Sequence, residues 1–201
     1  MNRIDALQAF AEVRGEAAVI VGPGFAGHEL AAAEHHDLTI YNMEMGYAAS
    51  MCLGLALALK DLGRQVVAIE GDGSMLMALP TLTTMSRYPA ANLTVVVFDN
   101  GAYLTTGRGA VTSASAAGAD LAALARAAGP NLRVECVAEI EAFGDAIGRA
   151  MTEDGPWVIV AQVDGADRQD PRARAHFDTD IPDQAALFRD ALSRSMRPKR
   201  G

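Results

Sequence analysis

Cysteine is scarce: Cys52 and Cys136 are the only two in 201 residues, far apart and each inside an apolar stretch. That count and spacing exclude a disulfide framework and a cysteine metal site, and both thiols are expected to be reduced core residues. Positive charge is also short, with 17 Lys and Arg against 25 Asp and Glu and a net charge of −8. Such a balance repels a phosphate backbone, so nucleic acid is excluded as a partner. No apolar run reaches the roughly 20 residues that a membrane span needs. The most apolar one, 48–59, stops at Lys60 and Asp61 and reads as a buried helix. The opening MNRIDALQAFAEV lacks the basic start, apolar run and small-residue cleavage site of a secretory signal, so a cytoplasmic location is expected.

Half of the residues are hydrophobic, enough for a real core, and a disordered or fibrous chain is ruled out. Runs rich in Val and Ile recur at 17–21, 38–41, 66–69, 93–98, 132–137 and 157–163, with helix-length stretches between most of them. Several runs are continuously apolar, as parallel strands covered on both faces are. The expectation is a three-layer, doubly wound α/β sandwich with a mainly parallel sheet, all of 1–201 forming one domain. Helices are expected at 4–14, 28–34, 46–62, 75–87, 121–128, 138–151 and 184–196. Residues 101–118, rich in Gly, Ser, Thr and Ala, read as a long functional loop. Residues 164–183 read as irregular, ahead of an amphipathic C-terminal helix.

In open α/β sheets ligands bind beyond the carboxyl ends of strands, which directs attention to two segments. Gly71-Asp72-Gly73-Ser74 follows the strand Val66-Val67-Ala68-Ile69 and opens a helix. Its glycines let backbone N–H groups approach a phosphate, and Ser74 can cap the helix or bond the anion. Asp72 would repel that phosphate unless a cation lay between them. Asp99-Asn100-Gly101-Ala102-Tyr103 ends the strand 93–98, and adjacent parallel strands would set it beside the first segment. The Asp72 carboxylate, the Asn100 amide oxygen and the Ala102 carbonyl would give three hard oxygen ligands, an arrangement suited to octahedral Mg²⁺. Taken singly, GDGS is a common turn and Asp-Asn-Gly a common loop start.

Together, 28 positions apart with a helix and a strand between, Asp72 and Asn100 resemble the thiamin-diphosphate motif. The resemblance extends to Tyr41-Asn42-Met43-Glu44-Met45-Gly46-Tyr47 and the apolar helix after it, and to Gly155-Pro156-Trp157-Val158. It implies the diphosphate-binding domain standing alone, with a separate alpha subunit supplying the pyrimidine-binding domain and the catalytic glutamate, in a heterodimer or heterotetramer. The wording DNGAYLTTG is most similar to sulfopyruvate decarboxylase beta subunits and phosphonopyruvate decarboxylases. The resemblance makes Asp72, Asn100 and Ala102 the Mg²⁺ ligands, and it assigns the diphosphate to Gly71, Gly73, Ser74, Tyr103 and the Thr105 backbone. Met45 would be the wedge beneath the thiazolium, Gly46 would open the next helix, and the Met43 carbonyl would accept from the cofactor's 4′-amino group. The implied activity is decarboxylation of a small anionic 2-oxo acid such as 3-sulfopyruvate or 3-phosphonopyruvate.

Departures from that pattern are the pair Met43-Glu44, the loop from Arg108, and Gly22-Pro23-Gly24-Phe25. Arg108 can pair with a sulfonate or phosphonate; the alternative is a solvated loop arginine. His28, His35 and His36 read as surface residues, and Met75, Met77 and Met85 as core. Carboligation with the same cofactor, or a cofactor-binding module without catalysis, are the competing readings of function.

Overall fold

The computed structural model describes residues 1–104, 111–164, 172–173 and 180–196. In chain order these residues form α1 (Arg3–Val13), β1 (Ala18–Val21), α2 (Phe25–Ala33), β2 (Thr39–Ile40), α3 (Ala48–Leu59), β3 (Val66–Gly71), α4 (Asp72–Met77) and α5 (Pro80–Arg87). There follow β4 (Leu93–Asp99), β5 (Ala102–Tyr103), β6 (Val111–Thr112), α6 (Leu121–Ala127), β7 (Arg133–Val137), α7 (Ile140–Thr152), β8 (Trp157–Gln162) and α8 (Ile181–Ser195).

Six strands make a parallel sheet in the order β2-β1-β3-β4-β8-β7, so the three-layer, doubly wound α/β expectation holds. Successive side chains of a strand point to opposite faces, and the core divides accordingly. Ala18, Ile20, Ala68, Val95, Val97, Val158 and Val160 meet α3, α5, α6 and α8 on one side. Val19, Val21, Val67, Ile69, Val96, Ile159 and Ala161 meet α1, α2 and α7 on the other. Burial on both faces is why these strands carry no polar alternation.

Several boundaries differ from expectation for identifiable reasons. The segment expected as one helix over 75–87 is two, because Pro80 has no N–H to continue the first and instead opens α5. α3 begins at Ala48 rather than Gly46. α8 begins at Ile181 inside the stretch expected to be irregular: the Asp180 side chain accepts from the Asp183 N–H, and Pro182 occupies the first turn, where its missing N–H costs nothing. Cys52 is buried as expected, whereas Cys136 is exposed on β7, a sheet edge, and is no core residue. Met77 is likewise 62% exposed, unlike Met75 and Met85. Among the described residues no helix is long and apolar enough to cross a membrane.

Candidate functional site

The strand order reverses direction at β1, with β2 on one side of it and β3 on the other. A crevice opens beyond the carboxyl ends of strands at such a reversal. Here it is an open cleft, walled by the turn after β1, the turn between β3 and α4, and the segment after β4. Met45, Gly71, Asp72, Gly73, Ser74, Asn100, Ala102 and Tyr103 all line it. Eight predicted site residues therefore share one cavity, although they come from three separate stretches of chain.

Asp72 is 1% exposed at the start of α4. The hydroxyls of Ser113 and Ser115 both donate to its Oδ2, and Ser115 also bonds Asp99 Oδ1 at 2.6 Å. Burial pushes the Asp72 carboxyl above its ordinary range, the two serine hydroxyls pull it down, and the Asp99 charge raises it further. Two carboxylates bridged only by hydroxyls form a site that a hard divalent cation would neutralise. Asn100 Oδ1 accepts from the Ala102 N–H at 3.1 Å, a turn that holds the amide and the Ala102 segment in fixed relation.

The approach to the turn is equally specific. A Cβ added to Gly73 would lie 2.2 Å from Tyr103 Cε1 and 2.4 Å from Cδ1, so the ring lies directly on the glycine. Gly73→Ala is expected to cost about 1–3 kcal/mol of fold stability through this overpacking. Tyr103→Ala in the same chain should recover most of that cost. Denaturant unfolding of both single variants and the double variant measures the coupling, and an undiminished cost in the Tyr103→Ala background would show that the ring is not the obstacle.

Ser74 departs from its expected part. Its hydroxyl accepts from the Gly46 N–H at 2.8 Å and donates to Glu70 Oε2 at 2.5 Å, so its side chain is engaged within the protein and only its backbone remains for an anion. Gly46 thus serves as a tether to the turn, not as the first residue of α3. Glu70, which the sequence reading passed over, is the centre of this arrangement. It is 1% exposed, its Oε1 accepts from the Ala49 N–H at 3.0 Å, and burial pushes its carboxyl up against the pull of these hydrogen bonds. A Cβ on Gly22 would come within 2.6 Å of Glu70 Oε2, which explains the glycine that opens the atypical turn after β1. An acid closing an otherwise apolar strand was the available signal for Glu70. Ser113 and Ser115 gave none, lying in a loop full of serine and threonine.

The remaining predicted residues are placed as follows. Met43 is buried in the core beside α3, with its N–H donating to the Val21 carbonyl, and its side chain does not reach the cleft. Glu44 is exposed and, unlike its neighbour Met45, does not line the cleft. His28 is half-buried near Asn42, while His35 and His36 contact the Tyr41 hydroxyl through a ring nitrogen and a backbone N–H respectively. Thr105 and Arg108 lie outside the described residues.

With this geometry in hand, the relatives are informative. The profile of the family described as thiamine pyrophosphate enzyme, C-terminal TPP binding domain, matches residues 27–161. Phosphonopyruvate decarboxylase of Streptomyces viridochromogenes is 37% identical over 160 residues, a match covering 79% of this chain but only 38% of that protein. Sulfopyruvate decarboxylase subunit beta of Methanococcus maripaludis is 29% identical over 163 residues, covering 81% of this chain and 84% of the relative. Among solved structures, the thiamine diphosphate-dependent 4-hydroxybenzoylformate decarboxylase of Rhodococcus jostii superposes with a TM-score of 0.66 at 21% identity, over 84% of this chain and 33% of that one. That last likeness is one of fold.

Proposed function

Because the chain belongs to the thiamin-diphosphate-dependent enzymes, as a cofactor-binding domain of their C-terminal type, we propose that it is the beta subunit of a heteromeric 2-oxo acid decarboxylase. The observation that carries this reading is the convergence of Asp72, Asn100, Ala102, Gly73 and Met45 on one cleft at the strand reversal. The fit to the cofactor is tested by the buried Asp72 carboxylate with Asp99 beside it, which calls for a cation, and by the Gly71 backbone on the cleft wall, where an added Cβ would meet nothing within 4 Å, so a close-lying group is admitted.

In this reading Asp72, the Asn100 amide oxygen and the Ala102 carbonyl hold Mg²⁺. The backbone N–H groups of Gly73 and Ser74, with Gly71, Tyr103 and Thr105, hold the diphosphate. Met45 props the thiazolium, and the Met43 carbonyl accepts from the pyrimidine amino group. Bound there, the cofactor supplies the electron sink for loss of CO₂ from a 2-oxo acid. This chain's residues bind and orient it: Asp72 balances charge, Tyr103 shields the turn, and Glu70 through Ser74 and Gly46 fixes the loop carrying Met45 relative to that turn. A pyrimidine-binding alpha subunit brings the glutamate.

The sulfo- and phosphonopyruvate decarboxylases among the relatives support a substrate with a second anionic group, 3-sulfopyruvate or 3-phosphonopyruvate, and Arg108 is a candidate to meet that group. The test is a decarboxylation assay of the chain assembled with its partner, offered each of these acids and pyruvate with thiamin diphosphate and Mg²⁺. CO₂ release from the doubly anionic acid is expected, with a higher kcat/KM than for pyruvate. Coupled products from pyruvate and an aldehyde would identify a carboligase instead, and no turnover of any 2-oxo acid would refute the assignment.

A further inference from the structure

Arg3, on α1, lines the same cleft as the Gly71 to Ser74 turn and is the only cation among the described residues that do. The other formal charges on those walls are the two carboxylates Glu70 and Asp72. Arg3 is not a solvated surface residue: its side chain is 11% exposed. Its Nε donates to Glu29 Oε2 at 2.6 Å and its Nη2 to Glu29 Oε1 at 2.8 Å, a two-pronged pair with a carboxylate that is itself buried on α2. The guanidinium carbon also sits 5.9 Å from the centre of the Phe25 ring.

A guanidinium carries five N–H donors in a planar fork, and the carboxylate takes two of them. Glu29 and Phe25 together fix the plane while Nη1 and one Nη2 proton remain for another acceptor. We propose that Arg3, oriented by Glu29, binds a tetrahedral oxyanion in the cleft. Resting on the cofactor assignment above, that oxyanion is either the terminal phosphate of thiamin diphosphate or the distal phosphonate or sulfonate of the substrate. The two share the chemistry that a guanidinium fork recognises: two or three adjacent oxygens around a tetrahedral centre. The charge on the walls gives the reason. A diphosphate entering beside Glu70 and Asp72 gains one dication through Asp72, and among the described residues of the cleft Arg3 is the one that adds positive charge.

The experiment uses the assembled complex carrying wild-type, Arg3→Gln or Arg3→Lys chain. Calorimetry with Mg²⁺ measures affinity for thiamin diphosphate and, separately, for inorganic diphosphate; steady-state assays give KM for 3-sulfopyruvate and for pyruvate. If Arg3 meets the cofactor, Arg3→Gln raises the Kd for thiamin diphosphate about 10- to 150-fold, the range of one charged hydrogen bond, and leaves the KM ratio of the two acids unchanged. If it meets the substrate, that ratio shifts by the same factor and the Kd stays put. Arg3→Lys, which keeps the charge without the fork, should show a smaller loss in the same quantity and serves where Arg3→Gln does not fold. A lowered Tm with unchanged Kd and KM ratio in a folded variant would reduce Arg3 to a tie between α1 and α2 and overturn the inference. Wild-type binding of Mg²⁺ and diphosphate but not of thiamin diphosphate, with Arg3→Gln losing it, would overturn the cofactor assignment and leave the oxyanion site standing. Binding of neither would overturn both.

Discussion

Asp72→Asn is expected to abolish cation-dependent cofactor binding while making the cofactor-free chain more stable. Loss of an outer-shell partner already costs metal sites about 10- to 100-fold in affinity, so loss of the charged ligand should exceed about 100-fold. The gain in stability follows from the sign of the perturbation. The native carboxyl holds its proton above the ordinary 3.8, chiefly through burial. Its contribution to stability is therefore full below that value and is lost as pH rises through the higher native one. Above the native value the ionised group works against the fold, and a neutral isostere removes that opposition while still meeting Ser113 and Ser115. Calorimetric titration and thermal unfolding of the same variant measure the two effects. A falling Tm together with retained Mg²⁺-dependent binding would mark Asp72 as a structural residue and remove the metal assignment.

The second large effect concerns the chain on its own, which is expected to show no turnover until the pyrimidine-binding subunit is added. Its cleft is open, and large apolar side chains next to the loop that carries Met45 are left to water: Tyr47, Met51 and Met77 are 57%, 40% and 62% exposed. α3 has no charged side chain along its whole length, and on its outward face Ser50 is the one polar side chain. Met51→Asp places a charge in that face. It should weaken association at least about 30-fold, the effect of disrupting one central contact, yet leave the isolated chain folded, because surface changes away from special features shift stability by about 0.5 kcal/mol or less. Analytical ultracentrifugation of the mixed subunits, with the decarboxylation assay alongside, reads both quantities. Full activity of the isolated chain would contradict the half-site.

Much of this architecture was readable in the order of residues. Continuous Val and Ile runs betray strands covered on both sides, and the paired polar strand ends at Asp72 and Asn100 betray the crevice between them. What escaped was set by tertiary contact. Glu29 and Arg3 lie on different helices, 26 positions apart, and nothing local marks them as a pair. Ser113 and Ser115 reach Asp72 because β5 and β6 pair antiparallel, with Tyr103 opposite Val111. Cys136 was read as core within the run 132–137, but Arg133 and Glu135 break that run and β7 has a strand on one side only. Pro80 and Pro182 both begin helices: a helix drawn straight through Pro80 over 75–87 and one started only after Pro182, at 184, each misplace a boundary.

The Glu70 carboxyl joins three parts of the molecule at once: the strand it closes, the turn through Ser74, and the first N–H groups of α3 through Ala49. In the proposed complex the turn would face the cofactor and α3 the second subunit, so the two binding events would converge on a single buried group. Equilibrium linkage then demands reciprocity. By whatever factor a filled cleft tightens the grip of the alpha subunit, the alpha subunit must tighten the grip on the cofactor, and a beta subunit released from its complex should give up its cofactor as it goes.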